Sequence, residues 1–269
     1  MAKSLQGLRR EIGERLQAVA YGQIEQSLTL DSFYDDGLII NDKNYWRQGY
    51  VRLYSSPTAT TYVAGRVTAF DNGVVTFRPP MASSPSGYYY ELWKTFNPSD
   101  VDNAINRSLN QMGYVVREYD NFEASVYAYD LPSALRKLLR VEVLLSADEY
   151  RPLGGYELSG YPGAYVLNLN SEGRQFVTDY PTATICYVYE RAFPGLTGEA
   201  DTTSAQPLWL EYLALADLYE MLLRRTQKED REEIMRNLAY FQAKAREMRD
   251  EYAYRTSGIR IEMSRKVTD

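Results

Sequence analysis

Residues 234–252, IMRNLAYFQAKAREMRDEY, place Ile234, Leu238, Phe241, Ala245, Met248 and Tyr252 at steps of four and three. That spacing is the seam of a helix lying against another helix. Upstream, Leu208, Tyr212, Leu215, Tyr219 and Leu222 repeat it behind Pro207, which suits a first helical position. Trp209, Leu213, Met221 and Leu223 widen that apolar face. Thr226 with Glu229 reads as a capping box that opens the second helix. The pattern predicts helices over about 207–225 and 227–252, packed as an αα-hairpin on these two seams. One unbroken helix is the alternative, because neither Gly nor Pro interrupts the run.

The rest of the chain alternates between two periods. Leu5, Leu8, Ile12, Leu16 and Val19 share one face of a helix over 4–19, with Ser4 as N-cap and Gly22 beyond its end. Residues 26–95 read as β, and Asn72-Gly73 between two β-rich runs is a hairpin signal. YYYELWKTF, 88–96, closes that region as a strand. NPSDVDNAINRSLNQMGY returns to helical spacing through Val101, Ile105, Leu109 and Met112, with Ser99 and Asp102 as an Asp variant of the capping box. A second β region over about 123–191 predicts strands at SVYAYDL, RVEVLLSADEY, AYVLNLN, RQFVT and ATICYVYER. Residues 192–206 are loop by composition. In the last stretch Ile259, Ile261 and Met263 alternate with Arg260, Glu262 and Ser264, the period of a strand.

The predicted fold is therefore α+β. A four-helix core (about 4–19, 98–113, 207–225 and 227–252) carries two β-rich insertions and an extended C-terminal tail. Its segments are an N-terminal helix at 1–22, a β-rich insertion at 23–96, a core helix at 97–115, a second β-rich region at 120–195, the hairpin at 205–252 and the tail at 253–269.

Composition narrows the chemistry. The 269 residues suffice for a core that needs no staples, and the single cysteine, Cys186, excludes an internal disulfide and suggests intracellular folding. The opening MAKSLQGLRREIGERLQAV does not read as a signal peptide, and no stretch approaches the ~20 apolar residues of a membrane span, so a soluble protein is expected. A net charge of -6 argues against broad phosphate-backbone binding. The chain has no histidine, which removes Ser-His-Asp and Cys-His catalysis and every zinc site that needs imidazole. Its 25 tyrosines suit half-buried surfaces or tyrosine-rich strands.

Carboxylates remain. Asp35 with Asp36, Asp71, Asp100 with Asp102, and Glu229, Asp230, Glu232 and Glu233 are the acidic groups to weigh for glycoside hydrolysis. Each has a plainer role in a turn, a hairpin loop or the first turn of a helix. Asp71-Asn72-Gly73 lacks the further ligands of a calcium loop. Cys186 lies in an apolar strand pattern as a structural thiol, and the glycines of PLGGYELSGYPGAY follow turn logic. Trp46, Trp93 and Trp209 suit packing better than a sugar-binding surface. No catalytic residue, cofactor or metal is expected.

NPSDVDNAINRSLNQMGY at 97–114, LPSALRKLLRVEVLLSADEYRPLGGY at 131–156 and PLWLEYLALADLYEMLLRRTQ at 207–227 stand in an order, behind a short LRREIGERL helix, that resembles the head–tail connector (adaptor, neck or head-completion) proteins of tailed bacteriophages. The resemblance implies a non-enzymatic virion protein at the head–tail junction, assembled in the host cytoplasm as a homo-oligomeric ring of about twelve copies. Its partners would be the portal protein above and tail or further neck proteins below, and genomic DNA would pass through the lumen without sequence-specific binding. No membrane partner is implied. On that basis the tail is expected to dock on the portal or a neighbouring subunit through Arg255, Ile259, Arg260, Ile261, Met263, Arg265 and Lys266, adding a strand. The alternative is a receptor- or carbohydrate-binding accessory protein with a helical oligomerisation stalk.

Overall fold

The computed structural model describes residues 2–56, 59, 61–123, 126–146, 149–226 and 231–265, with side chains through 252. The chain forms two compact units, one from residues 1–109 and 194–252, the other from 110–193 with 253–269.

In the first unit, β1 (Lys3–Ser4) leads into α1 (Leu5–Arg15). Ser4 caps α1, its hydroxyl accepting from the Gly7 amide. The helix is shorter than its apolar spacing suggested: Gln17 turns the chain at φ 51, and Val19 and Gly22 belong to β2 (Val19–Gln23). α1 packs so closely that a Cβ on Gly13 would stand 2.6 Å from the Val19 side chain and 2.8 Å from that of Trp93.

An antiparallel seven-stranded sheet follows, in the order β2-β8-β5-β6-β7-β4-β3, built from β3 (Gln26–Thr29), β4 (Ser32–Tyr34), β5 (Tyr50–Tyr54), β6 (Tyr62–Asp71), β7 (Val74–Arg78) and β8 (Tyr89–Trp93). The β6–β7 turn is the Asn72-Gly73 hairpin, with φ of 45 and 80. Positive φ at both positions is the type I′ geometry that matches strand twist, and glycine tolerates it best. Phe33, Val51, Leu53, Val67, Phe70, Val75, Phe77 and Leu92 fill the core on this sheet, with Trp46.

α2 (Pro98–Gln111) buries Val101, Ala104, Ile105 and Leu109. After the second unit, β16 (Thr202–Thr203) pairs with β1, and α4 (Pro207–Arg225) begins with Gln206 capping the Trp209 amide. α5 spans Arg231–Arg265. Rings join the last two helices: Phe241 lies 6.3 Å from Tyr212 and 5.3 Å from Tyr219, and Trp209 meets Tyr252 at 5.6 Å.

The second unit holds a four-stranded sheet, β12-β11-β15-β9, and a three-stranded one, β10-β14-β13. The strands are β9 (Gly113–Asn121), β10 (Ala128–Asp130), β11 (Leu135–Ser146), β12 (Glu149–Pro152), β13 (Tyr156–Tyr161), β14 (Ala164–Leu169) and β15 (Thr184–Ala192). α3 (Ser171–Asp179) takes the place of the strand expected at RQFVT. Asn170 caps it by accepting from the Glu172 and Gly173 amides, and Gly173 and Val177, four apart, are its buried residues. Val141, Val143, Leu167, Leu169, Ile185, Tyr187 and Tyr189 centre the core.

A four-helix core with β insertions is therefore not the architecture. Among the described residues the chain is mostly β-sheet, in four sheets, with five α-helices beside them. The physical reason is where the large apolar side chains fall. Two hydrophobic clusters among the described residues are built chiefly from strand residues, while α1 and α3 are short and the described side chains of α5, over 231–252, are mostly exposed. The tail is not extended either: the helical backbone of α5 continues to Arg265.

Candidate functional site

Two strands carry a charged residue inside an apolar run: Arg52 in YVRLY of β5 and Glu91 in YYELW of β8. They are register partners on adjacent strands. Arg9, one turn into α1 beside Leu8, is turned inward and has 0% of its surface exposed. A charge so placed survives only with partners at hand.

Arg9 has them on every side. Its Nε donates to Glu91 Oε2 at 2.9 Å, Nη1 to Asp102 Oδ1 at 2.6 Å, and Nη2 to both Tyr54 Oη and Glu199 Oε2 at 2.6 Å. Arg52 doubles the framework. Its Nη1 donates to Glu199 Oε1 at 3.2 Å, and its Nη2 reaches Ser99 Oγ at 2.9 Å and Asp102 Oδ2 at 2.7 Å. Arg10 adds a bond to Glu91 Oε1 at 2.9 Å. Three guanidinia thus face three carboxylates, and the cluster is neutral. Its members come from α1, β5, β8, α2 and the 194–206 segment, so it ties together elements up to 190 positions apart.

Burial and pairing pull on these groups in opposite directions. Burial works against the Arg9 charge, but Glu91 and Asp102 outweigh it and hold its pKa well above the guanidinium value. Burial raises Glu91, yet Arg9 and Arg10 overcome it and the carboxyl ends lowered. Glu199 ends raised: burial dominates, Asp102 adds to it, and Arg9 and Arg52 compensate only in part. Of these two glutamates, Glu199 is the less favoured as an anion. Burial also pushes Tyr54 upward, so its hydroxyl stays protonated. A cavity of about 330 Å3 adjoins the cluster, lined by Asp102, Glu199, Ser99, Asn106, Thr197 and Tyr62 among others.

A second set joins α1 to α4. Glu211, 3% exposed, accepts from Arg15 Nη2 at 2.8 Å and pairs with Lys3, which also bonds Glu11. Burial and the neighbouring Glu11 raise the Glu211 carboxyl.

The residues singled out from sequence are distributed differently. Ser99 and Asp102 are not a capping box: Asn97 caps the Ser99 amide, and both side chains serve Arg52. On α4 the buried face is Trp209, Leu210, Glu211, Ala214, Leu215, Ala216 and Leu218, whereas Leu208 is 43% exposed and Leu222 half-buried. Tyr212 and Tyr219 meet Phe241 as a seam would. On α5, Ile234, Phe241 and Ala245 are buried, and Leu238 and Met248 are half-buried. Thr226 donates its hydroxyl to the Leu222 carbonyl at the end of α4, and Glu229 lies outside the described residues. The side chains of Arg255, Ile259, Arg260, Ile261, Met263 and Arg265, and Lys266 as a whole, also lie outside them.

The other candidates are occupied by structure. Trp46, Trp93 and Trp209 are buried. Asp71 pairs with Lys43 beside its hairpin. Asp35 caps the Gly37 amide and Glu25 accepts from the Asp36 amide, so two of these three clustered carboxylates hold the turn together. Cys186 is buried in β15, and burial pushes its thiol upward, away from the nucleophilic thiolate. Comparison with protein-family models gives no match, and comparison with curated proteins gives none.

Proposed function

We propose that this chain is a structural virion protein that forms a ring between portal and tail, extends the genome channel and offers a docking surface to tail or neck proteins. The observation that supports a structural role is the Arg9 cluster, where the carboxylates of Glu91, Asp102 and Glu199 are spent on guanidinia rather than held open for a substrate. A general acid or nucleophile needs an oxygen that can reach the reacting atom. Here those oxygens join one element to the next. The placement in a phage connector rests on the order of the 97–114, 131–156 and 207–227 segments. It does not rest on a helical core.

A specific observation favours the second reading. The hairpin of β13 and β14 presents Tyr161 at 70% exposure, with Leu158 also exposed on the same strand. Exposed aromatic rings at a hairpin tip suit a receptor or glycan surface. The two readings separate by mass and binding. Light scattering on the purified chain should give a closed oligomer for the connector. Binding to host glycans without a closed ring, abolished by Tyr161→Ala, would replace it with the accessory protein.

A further inference from the structure

The 194–206 segment is irregular apart from β16, and it is anchored by buried Leu196, Thr203 and Ala205 together with a set of hydrogen bonds. The Leu5 and Gln6 amides donate to the Asp201 and Glu199 carbonyls, Asn106 bonds both backbone groups of Leu196, and β16 adds two residues of pairing. Asp201 organises the turn itself, accepting from Thr197 and the Gly198 amide. From that turn Glu199 sends its side chain inward. Its two oxygens bridge Arg9 and Arg52, one to each guanidinium, at 2.6 and 3.2 Å.

Glu199 differs from the cluster's other glutamate in two ways. Glu91 projects from the middle of β8, which is paired on both sides by β2 and β5, and cannot leave without breaking that strand, whereas Glu199 comes from irregular chain. Glu199, 5% exposed, and Asp102 also line the adjoining cavity. Without Glu199, three guanidinia would face two carboxylates, leaving one uncompensated positive charge with Arg9 and Arg52 almost wholly buried. The Nε of Arg52 is buried without a hydrogen-bond partner.

We propose that Arg9 and Arg52 form a carboxylate-binding socket, that the 194–206 segment is a latch filling it in cis with Glu199, and that the emptied socket takes a small carboxylate from outside the chain. The shape and charge of the socket favour a planar oxyanion that accepts from both guanidinia at once. This goes beyond the connector reading and does not depend on it.

The test is chemical rescue of full-length Glu199→Ala. Its thermal midpoint is followed while sodium formate replaces sodium chloride at constant ionic strength, with formamide as the neutral control. Formate at about 100 mM, acting with a Kd near 10 mM, should raise the variant's midpoint by roughly 3–6 °C. Formamide should not, and the wild type, whose socket is filled, should not respond. A variant equally indifferent to formate and chloride, or a wild type that responds as strongly, overturns the proposal. If the variant is unfolded in chloride, recovery of its folded circular-dichroism spectrum in formate supports the socket, and failure to recover it overturns the proposal.

Discussion

Replacing Arg9 with Met keeps a long apolar stem while deleting the guanidinium. Arg9 makes bonds of 2.9 and 3.4 Å to Glu91 and one of 2.6 Å to each of Asp102, Glu199 and Tyr54. The loss is not three full buried pairs, because each carboxylate keeps one guanidinium. Glu91 retains Arg10, Asp102 retains Arg52 at 2.7 Å, and Glu199 retains Arg52 at 3.2 Å. The expected cost is that of breaking one buried ion pair, about 3–5 kcal/mol. At roughly 2–4 °C per kcal/mol, the midpoint of the unit holding the cluster should fall by about 6–20 °C. The assay is far-ultraviolet circular dichroism with temperature on the full chain. It should be run at low and high salt, because screening reaches buried pairs poorly and the deficit should persist. Arg9→Lys should recover only part of the loss, since an ammonium keeps the charge but not the fork that reaches four partners. A Met variant melting within about 2 °C of the wild type would refute the idea that this cluster ties the elements together.

Further outcomes follow from the same geometry. Leu218→Ala, at a fully buried α4 position, should cost about 2–5 kcal/mol in urea unfolding, and Leu208→Ala, at an exposed one, less than about 0.5. Gly73→Ala should cost about 1–2 kcal/mol, because φ is 80 and its Cβ would stand 2.7 Å from the Asp35 carbonyl; an unchanged midpoint would contradict the turn geometry. Glu91 has a lowered pKa, so its contribution is present above its unfolded value of about 4.3 and is lost as pH falls through the folded pKa. Glu91→Gln should therefore be less stable than the wild type at pH 7, with the gap closing below about pH 4. Glu199 has the opposite sign: its raised pKa contributes stability below about 4.3 that is lost as pH rises through the folded pKa. Cys186 should resist alkylation until the chain is denatured, and labelling of the native protein at the denatured rate would show it is not buried.

Local signals were legible where the chemistry is local. Asn72-Gly73 is a turn because those two residues tolerate positive φ, and Ser4 caps α1 because its hydroxyl reaches an amide three residues on. α3 hides because Phe176, Val177 and Thr178 favour strands, and its start is set by the Asn170 side chain one residue earlier. β9, GYVVREYDN, shows no clean alternation, because most of its residues are partly or wholly exposed. The cluster escapes for a different reason. Arg9, Arg52, Glu91 and Glu199 are far apart in sequence, and their meeting is a property of the fold. The available sign was a charged residue inside an apolar strand, at Arg52 and Glu91. Ser99 and Asp102 carry the three-residue spacing of a helix start, which masks their service to Arg52.

The connector reading makes its most direct claim about assembly. Electron microscopy of the purified chain, alone and mixed with the portal protein from the same genome, measures it. The account predicts closed rings that stack coaxially on the portal, with an open central channel. Monomeric particles that stay separate from the portal at every mixing ratio would contradict it.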